Sequence, residues 1–176
     1  MEQTIISSDS HVIEVPDLWE KGMPSSFRER APKAYFDDKR DAWMFGSPEV
    51  PTQAVGGLFM AGQRPEQLES FRRAGFSVAR PGGWDPLERM KDMVTDGVSA
   101  EVLYPSLGLG LYCIEDAALQ EALFRTYNDW VMEYCQKVPD RLYGIALISM
   151  FDVDHALAEM ERCKNCLLYT SDAADE

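Results

Sequence analysis

The chain has 176 residues, with 30 Asp and Glu against 17 Lys and Arg, for a formal net charge of −13. That length holds one ordinary domain with a real core, and it falls short of the roughly 250 residues of a complete (β/α)8 barrel. An apolar content of 45% argues against disorder, and the acidic balance argues against nucleic acid or an anionic membrane as partner, since both need a basic face.

In chain order, the first predicted strand runs from Thr4 to Val12, where Ile5-Ile6 and Val12-Ile13 flank the polar stretch Ser7-Ser8-Asp9-Ser10-His11. Unpartnered polar groups inside a sheet are costly, so such residues face solvent or a functional cavity. From Val15 to Trp84 the chain is rich in Pro, Gly and charge. Residues 15–84 are too long for a plain connection and read as a cap-like insertion after strand 1. Within it, Ala34-Tyr35-Phe36 and Ala42-Trp43-Met44-Phe45-Gly46 flank a charged turn and predict a β-hairpin.

Asp85 and Pro86 then open a helix as N-cap and first helical residue, and Gly97 ends it. Leu87, Met90, Met93 and Val94 mark its expected apolar face. A strand follows over Ser99 to Ser106, then a glycine-bearing loop that lacks the GxGxxG phosphate-binding spacing. The clearest helix spans Asp116 to Lys137, with Leu119, Leu123, Tyr127, Trp130, Val131 and Tyr134 among its apolar stripe. Leu142 to Ser149 is a continuous apolar run, as expected of a parallel strand covered on both faces. Asp152 caps a last helix carrying Val153, Leu157 and Met160. The order is βαβαβα, which predicts right-handed crossovers and a parallel sheet.

Cys113, Cys135, Cys163 and Cys166 give one CxxC, with no second pair at zinc-site spacing, so a structural zinc is not expected. No signal-peptide pattern and no membrane-length apolar run are present, and a reducing, cytoplasmic setting is the expectation. The ending Cys166-Leu167-Leu168-Tyr169-Thr170-Ser171-Asp172-Ala173-Ala174-Asp175-Glu176 breaks the strand-helix pattern. It is similar to translated sequencing-adapter read-through, so residues 166–176 are expected to be a non-native tail and residues 1–165 the native part.

The chain has two histidines. Asp9 and His11 stand at i and i+2 of one strand, so their side chains share a face and could hold a borderline cation such as Zn²⁺ or Mn²⁺. Two ligands do not make a catalytic site, which needs at least three. The alternative is a local hydrogen-bonded pair at a strand end. Glu14 is open between a third ligand, an orienter of His11, a solvated carboxylate and a backbone cap. His155 reads as a surface histidine, and Asp37-Asp38 as solvated turn residues. No GxSxG elbow is present to recruit a serine nucleophile, and no residue is assigned a catalytic role.

The stretch Asp9-Ser10-His11-Val12-Ile13-Glu14, followed by Pro16-Asp17-Leu18-Trp19, resembles the opening of the amidohydrolase-related family, in the branch of aminocarboxymuconate-semialdehyde decarboxylase. The similarity continues through Tyr104-Pro105-Ser106, Tyr127-Asn128-Asp129-Trp130, Pro139-Asp140-Arg141-Leu142 and Gly144-Ile145-Ala146-Leu147-Ile148. The resemblance implies a metal-dependent (β/α)8 barrel, of which this chain holds the first three βα units. It also implies hydrolysis of a small amide, ester or lactone, or non-oxidative decarboxylation of a small carboxylic acid. The family's usual first-strand H-x-H pair corresponds to Asp9-x-His11, and an acidic first residue is similar to decarboxylase-like members. The family's remaining ligands fall on later strands, so the chain as it stands is expected to be inactive alone; a homo-oligomer is open for the full-length protein. The competing reading is a small acidic, non-enzymatic α/β interaction module.

Overall fold

A computed structural model of the chain describes residues 4–60 and 63–167, and of 165–167 the backbone only. Two small sheets organise it. The first is parallel and contains β1 (Ile6–Val12), β5 (Ala100–Pro105) and β6 (Leu142–Gly144), in the spatial order β1-β5-β6. The second is antiparallel and lies within the residues between β1 and β5. It joins β2 (Lys33–Asp37), β3 (Ala42–Gly46) and the two-residue β4 (Gln53–Ala54).

The expected hairpin is therefore present, and its turn is built by Asp37. That carboxylate accepts from the backbone N–H of Lys39 and Arg40 and pairs with the Arg40 side chain, which holds its pKa below the usual carboxylate range. Asp37 is thus the clamp of the turn and not a merely solvated residue. The stretch around it is better ordered than its composition suggests. It also carries α1 (Leu18–Gly22) and α2 (Leu68–Ala74), and its Trp19, Phe45, Val55 and Phe59 join the same buried cluster as Leu103, Leu123 and Tyr127.

The two crossover helices follow their local signals. In α3 (Pro86–Asp96) the Asp85 side chain accepts from the N–H of Leu87 and Glu88, and Gly97 ends the helix in the left-handed conformation. In α4 (Ala117–Gln136) Asp116 accepts from the N–H of Leu119. Leu119, Leu123, Phe124, Tyr127 and Val131 of α4 are buried and belong to the main core cluster. This helix is the centre of the core.

Three expectations need correction. On α3, Met93 is buried but Leu87 and Val94 are exposed, and the position facing inward one turn before Met93 is the charged Arg89. On α5 (Val153–Leu167), Ala156 and Cys163 turn inward, whereas Val153, Leu157 and Met160 are exposed. The third concerns the apolar run after Tyr143, which leaves the sheet at Gly144 instead of continuing to Ser149. Its last ladder partner is Leu103, whose carbonyl still accepts from the N–H of Ile145 at 2.9 Å, and beyond that contact no strand pairing continues. The Asn128 side chain supplies the missing partner, accepting from the N–H of Leu147 at 2.8 Å and donating to its carbonyl at 2.9 Å. The tail expectation concerns residues that, past Leu167, lie outside the described ones. So does the side chain of Cys166.

Candidate metal centre

Asp9 stands at the middle of β1 and His11 one residue from its C-terminal end, the end of a parallel sheet where α/β folds gather their functional groups. Pairing with β5 slips between Ser7 and Ser10, where three steps of β1 oppose two of β5. This irregularity brackets Asp9. Bulges of this type increase local twist and re-aim a side chain. Ser7 and Ser10 are tied across it by a hydroxyl–hydroxyl bond of 2.8 Å.

The outcome is that Asp9 Oδ1 stands 4.0 Å from His11 Nε2, with side chains 84% and 47% exposed. Both groups are open to an incoming ligand. The other ring nitrogen of His11, Nδ1, lies 3.0 Å from the carbonyl oxygen of Pro105 at the end of β5. A carbonyl can only accept, so Nδ1 carries the proton and Nε2 of the neutral ring presents its lone pair on the Asp9 side. The ring also sits 6.0 Å from that of Tyr104.

The donor chemistry fits a borderline divalent cation: one carboxylate oxygen and one free imidazole nitrogen, side by side. The fit is partial, since among the described residues no group of three or more His, Cys, Asp or Glu could hold an ion. Glu14 is not beside the pair. Its carboxylate is completely buried and accepts from the backbone N–H of Ser106, Leu107 and Gly108 at 2.8 to 3.3 Å. Of the roles open to it in the sequence, backbone cap is the one its contacts describe, and a solvated carboxylate is excluded. Burial pushes its pKa up, the amides of Leu107, Gly108 and Ser106 pull it down, and the net displacement is upward.

One residue of this region has no signal in the local sequence. Arg89, from α3, reaches the carbonyl oxygen of His11, the carbonyl of Gly82 and the carboxylate of Glu101. It therefore fixes the backbone of the histidine itself. His155 is exposed, as expected, but is paired with Glu121 at 3.1 Å. It lines a cavity of about 530 Å³ with Phe27, Ala122, Phe124, Leu147 and Ala156, and neither Asp9 nor His11 contributes to that lining.

No family model and no curated protein matches the chain. Solved structures do. An amidohydrolase from Mycobacterium avium subsp. paratuberculosis K-10 superposes with a TM-score of 0.63 at 18% identity, covering 92% of this chain and 46% of its own. The 2,6-dihydroxybenzoate decarboxylase from Rhizobium gives 0.53 at 18% identity, covering 95% of this chain and 36% of its own. A 2,6-dihydroxybenzoate decarboxylase complexed with 2,6-dihydroxybenzoate gives 0.52 at 19%, over 95% of this chain and 37% of its own. The fold is thus a mixed α/β arrangement with a parallel sheet that matches these amidohydrolase-type structures, and the chain spans less than half of their length. Among the described residues no helix is long and apolar enough to cross a membrane.

Proposed function

We propose that the chain forms the first three βα units of a barrel enzyme of the amidohydrolase superfamily, with Asp9 and His11 as half of its divalent metal site. The observation that supports this most is the pair itself: two metal-donor atoms 4.0 Å apart on the first parallel strand, Asp9 at its middle and His11 one residue from its C-terminal end, with His11 held in the tautomer that leaves Nε2 free. The likeness to solved amidohydrolase and decarboxylase structures supports the same reading. Residues 15–84 are the cap of this unit and residues 1–165 its native extent. Residues 166–176 are foreign to it.

The chemistry a bound Zn²⁺ or Mn²⁺ supplies is Lewis acidity, directed at a water attacking a carbonyl or at a chelated substrate carboxylate. Asp9 brings a negative charge to the site in place of a second neutral imidazole, and the Pro105 carbonyl keeps the proton of His11 away from the donor atom. An acidic first donor and the decarboxylase likeness favour decarboxylation of a small hydroxylated aromatic acid over hydrolysis of an ester, amide or lactone.

The test begins with the source DNA beyond codon 165, where further strand-end histidines and a final aspartate are expected. The longer protein, supplied with Zn²⁺ or Mn²⁺, is then assayed for CO2 release from hydroxybenzoates and for lactone and ester hydrolysis. Replacing either Asp9 or His11 by Ala should abolish turnover. Full activity with both replaced would overturn the reading and favour a non-enzymatic module.

A further inference from the structure

The two contacts that converge on the end of β5 share one peptide unit. His11 Nδ1 donates to the carbonyl of Pro105 at 3.0 Å, and the next atom pair along, the N–H of Ser106, donates to both oxygens of Glu14 at 3.1 and 3.3 Å. The peptide is trans, so its carbonyl and N–H point in opposite directions and the two side chains grip it from opposite sides. Glu14 then takes the N–H of Leu107 at 3.0 Å and of Gly108 at 2.8 Å, and its carboxylate is wholly shut off from water. Gly108 is part of this grip. A Cβ there would stand 3.2 Å from Glu14 Oε1 and 3.0 Å from atoms of Leu147 and Pro105.

We propose that Glu14 is a positioning residue for His11, acting through the Pro105–Ser106 peptide to hold the imidazole in its Nδ1–H tautomer with Nε2 free on the Asp9 side. Two physical effects operate along the chain carboxylate, N–H, carbonyl, imidazole. The first is geometric: three amides held by one carboxylate fix the height of the Pro105 carbonyl at which His11 must donate. The second is polarisation, since a negative charge on the N–H side of a peptide makes its carbonyl a better acceptor. Both favour the proton on Nδ1, whereas a free imidazole has no such constraint. This gives Glu14 the role that an outer-shell carboxylate has when it bonds a histidine directly, relayed here by one peptide. Its value to a metal site rests on the function proposed above, but the tautomer is a property of the metal-free chain.

The measurement is therefore made without metal. A His155→Gln background leaves His11 as the one histidine, and imidazole ¹⁵N shifts read its tautomer in alkaline buffer, where the neutral ring dominates. The expected signature is a protonated Nδ1 and a bare Nε2. Glu14→Gln keeps the volume but turns a donor toward the amides, and the ratio of Nδ1–H to Nε2–H should fall by roughly fivefold, the worth of one ordinary net hydrogen bond. Glu14→Asp, which keeps the charge, should recover part of it. If Glu14→Gln does not fold, Gly108→Ala replaces it, crowding Oε1 from outside β1, with the same direction of change expected.

Amide shifts of residues 106–108 that move while the His11 tautomer stays fixed would show a purely structural Glu14 and overturn the proposal. A wild-type His11 protonated on Nε2 would overturn it without any variant at position 14. Neither result bears on whether the longer protein is a metal enzyme. Conversely, a longer protein inactive with every metal but showing the Nδ1–H signature would sink the proposed function and leave the positioning role standing.

Discussion

Arg89 Nη1 donates to Glu101 Oε2 across 2.6 Å, in an ion pair whose two side chains are only 9% and 13% exposed. The pair joins α3 to β5, and the same guanidinium reaches the backbone carbonyls of Gly82 and His11. A planar fork with fixed donors suits three acceptors in different directions, which a lysine cannot match. Removing one member of a buried pair leaves the other charge uncompensated, at a cost of about 3–5 kcal/mol. Arg89→Met should therefore lower the urea midpoint severely and Arg89→Lys nearly as much. Glu101→Gln, which still offers an oxygen to Nη1 but leaves the Arg89 charge uncompensated, should also lower it severely. Midpoints for all three within experimental error of wild type would refute this account of the α3–β5 junction.

Asn128 replaces a missing strand. Its amide pairs with both the N–H and the carbonyl of Leu147 and donates a further bond to Glu159 at 2.8 Å, all in a nearly waterless setting. Asn128→Ala leaves two backbone groups of Leu147 orphaned, and at roughly 1–3 kcal/mol per unsatisfied group the loss should be about 2–6 kcal/mol. Asn128→Asp should be no better, because it removes the donor and faces the Glu159 carboxylate. Amide exchange at Leu147 localises the effect: it should accelerate in both variants well beyond the global change in stability.

These two residues show what a sequence displays and what it hides. The starts of α3 and α4 were readable because Asp85 and Asp116 accept from amides two or three residues on, and the stop of α3 because Gly97 takes the left-handed conformation. The βαβαβα order was readable from periodicity alone. Arg89 and Asn128 carry no local signal of their roles, because their partners lie well outside their own helices, up to 78 residues away. Glu14 could not be resolved between ligand, orienter and cap for the same reason: its three amides lie 92 to 94 residues on. The Asp9-x-His11 spacing was legible, but the slip in register that aims Asp9 depends on pairing with β5. Likewise, the outward turn of Val153, Leu157 and Met160 follows from how α5 packs and not from its period.

His155 gives the surface a pH signature. Its pKa is raised above the ordinary 6.5, first by the hydrogen bond to Glu121, then by the charge of that carboxylate and of Asp152. A raised folded value means that the protonated form is favoured by folding. The stabilisation is complete below the unfolded value of 6.5 and is lost as pH rises through the higher folded value. Glu121→Gln removes the partner, so wild type and variant should differ in urea midpoint at about pH 5.5 and converge in alkaline solution. A gap that widens with rising pH would contradict the pairing. Added salt should narrow it, since the pair is exposed.

The metal affinity of the chain follows from the donor count at β1. Asp9 and His11 offer two atoms, and among the described residues no third His, Cys, Asp or Glu joins them, whereas a catalytic zinc takes at least three protein ligands. A titration of the purified 176-residue chain with Zn²⁺ should therefore show no stoichiometric tight site, with half-saturation far above the protein concentration. What weak binding remains should depend on both donors, so His11→Ala should remove the larger of the imidazole shift changes that Zn²⁺ induces, and Asp9→Ala should weaken the response of His11 toward the level of free histidine. His155, whose Nδ1 is engaged by Glu121, should respond less to the metal than His11 does. Tight one-to-one binding that survives His11→Ala would place the metal elsewhere and remove the chemical basis for reading β1 as half of a site.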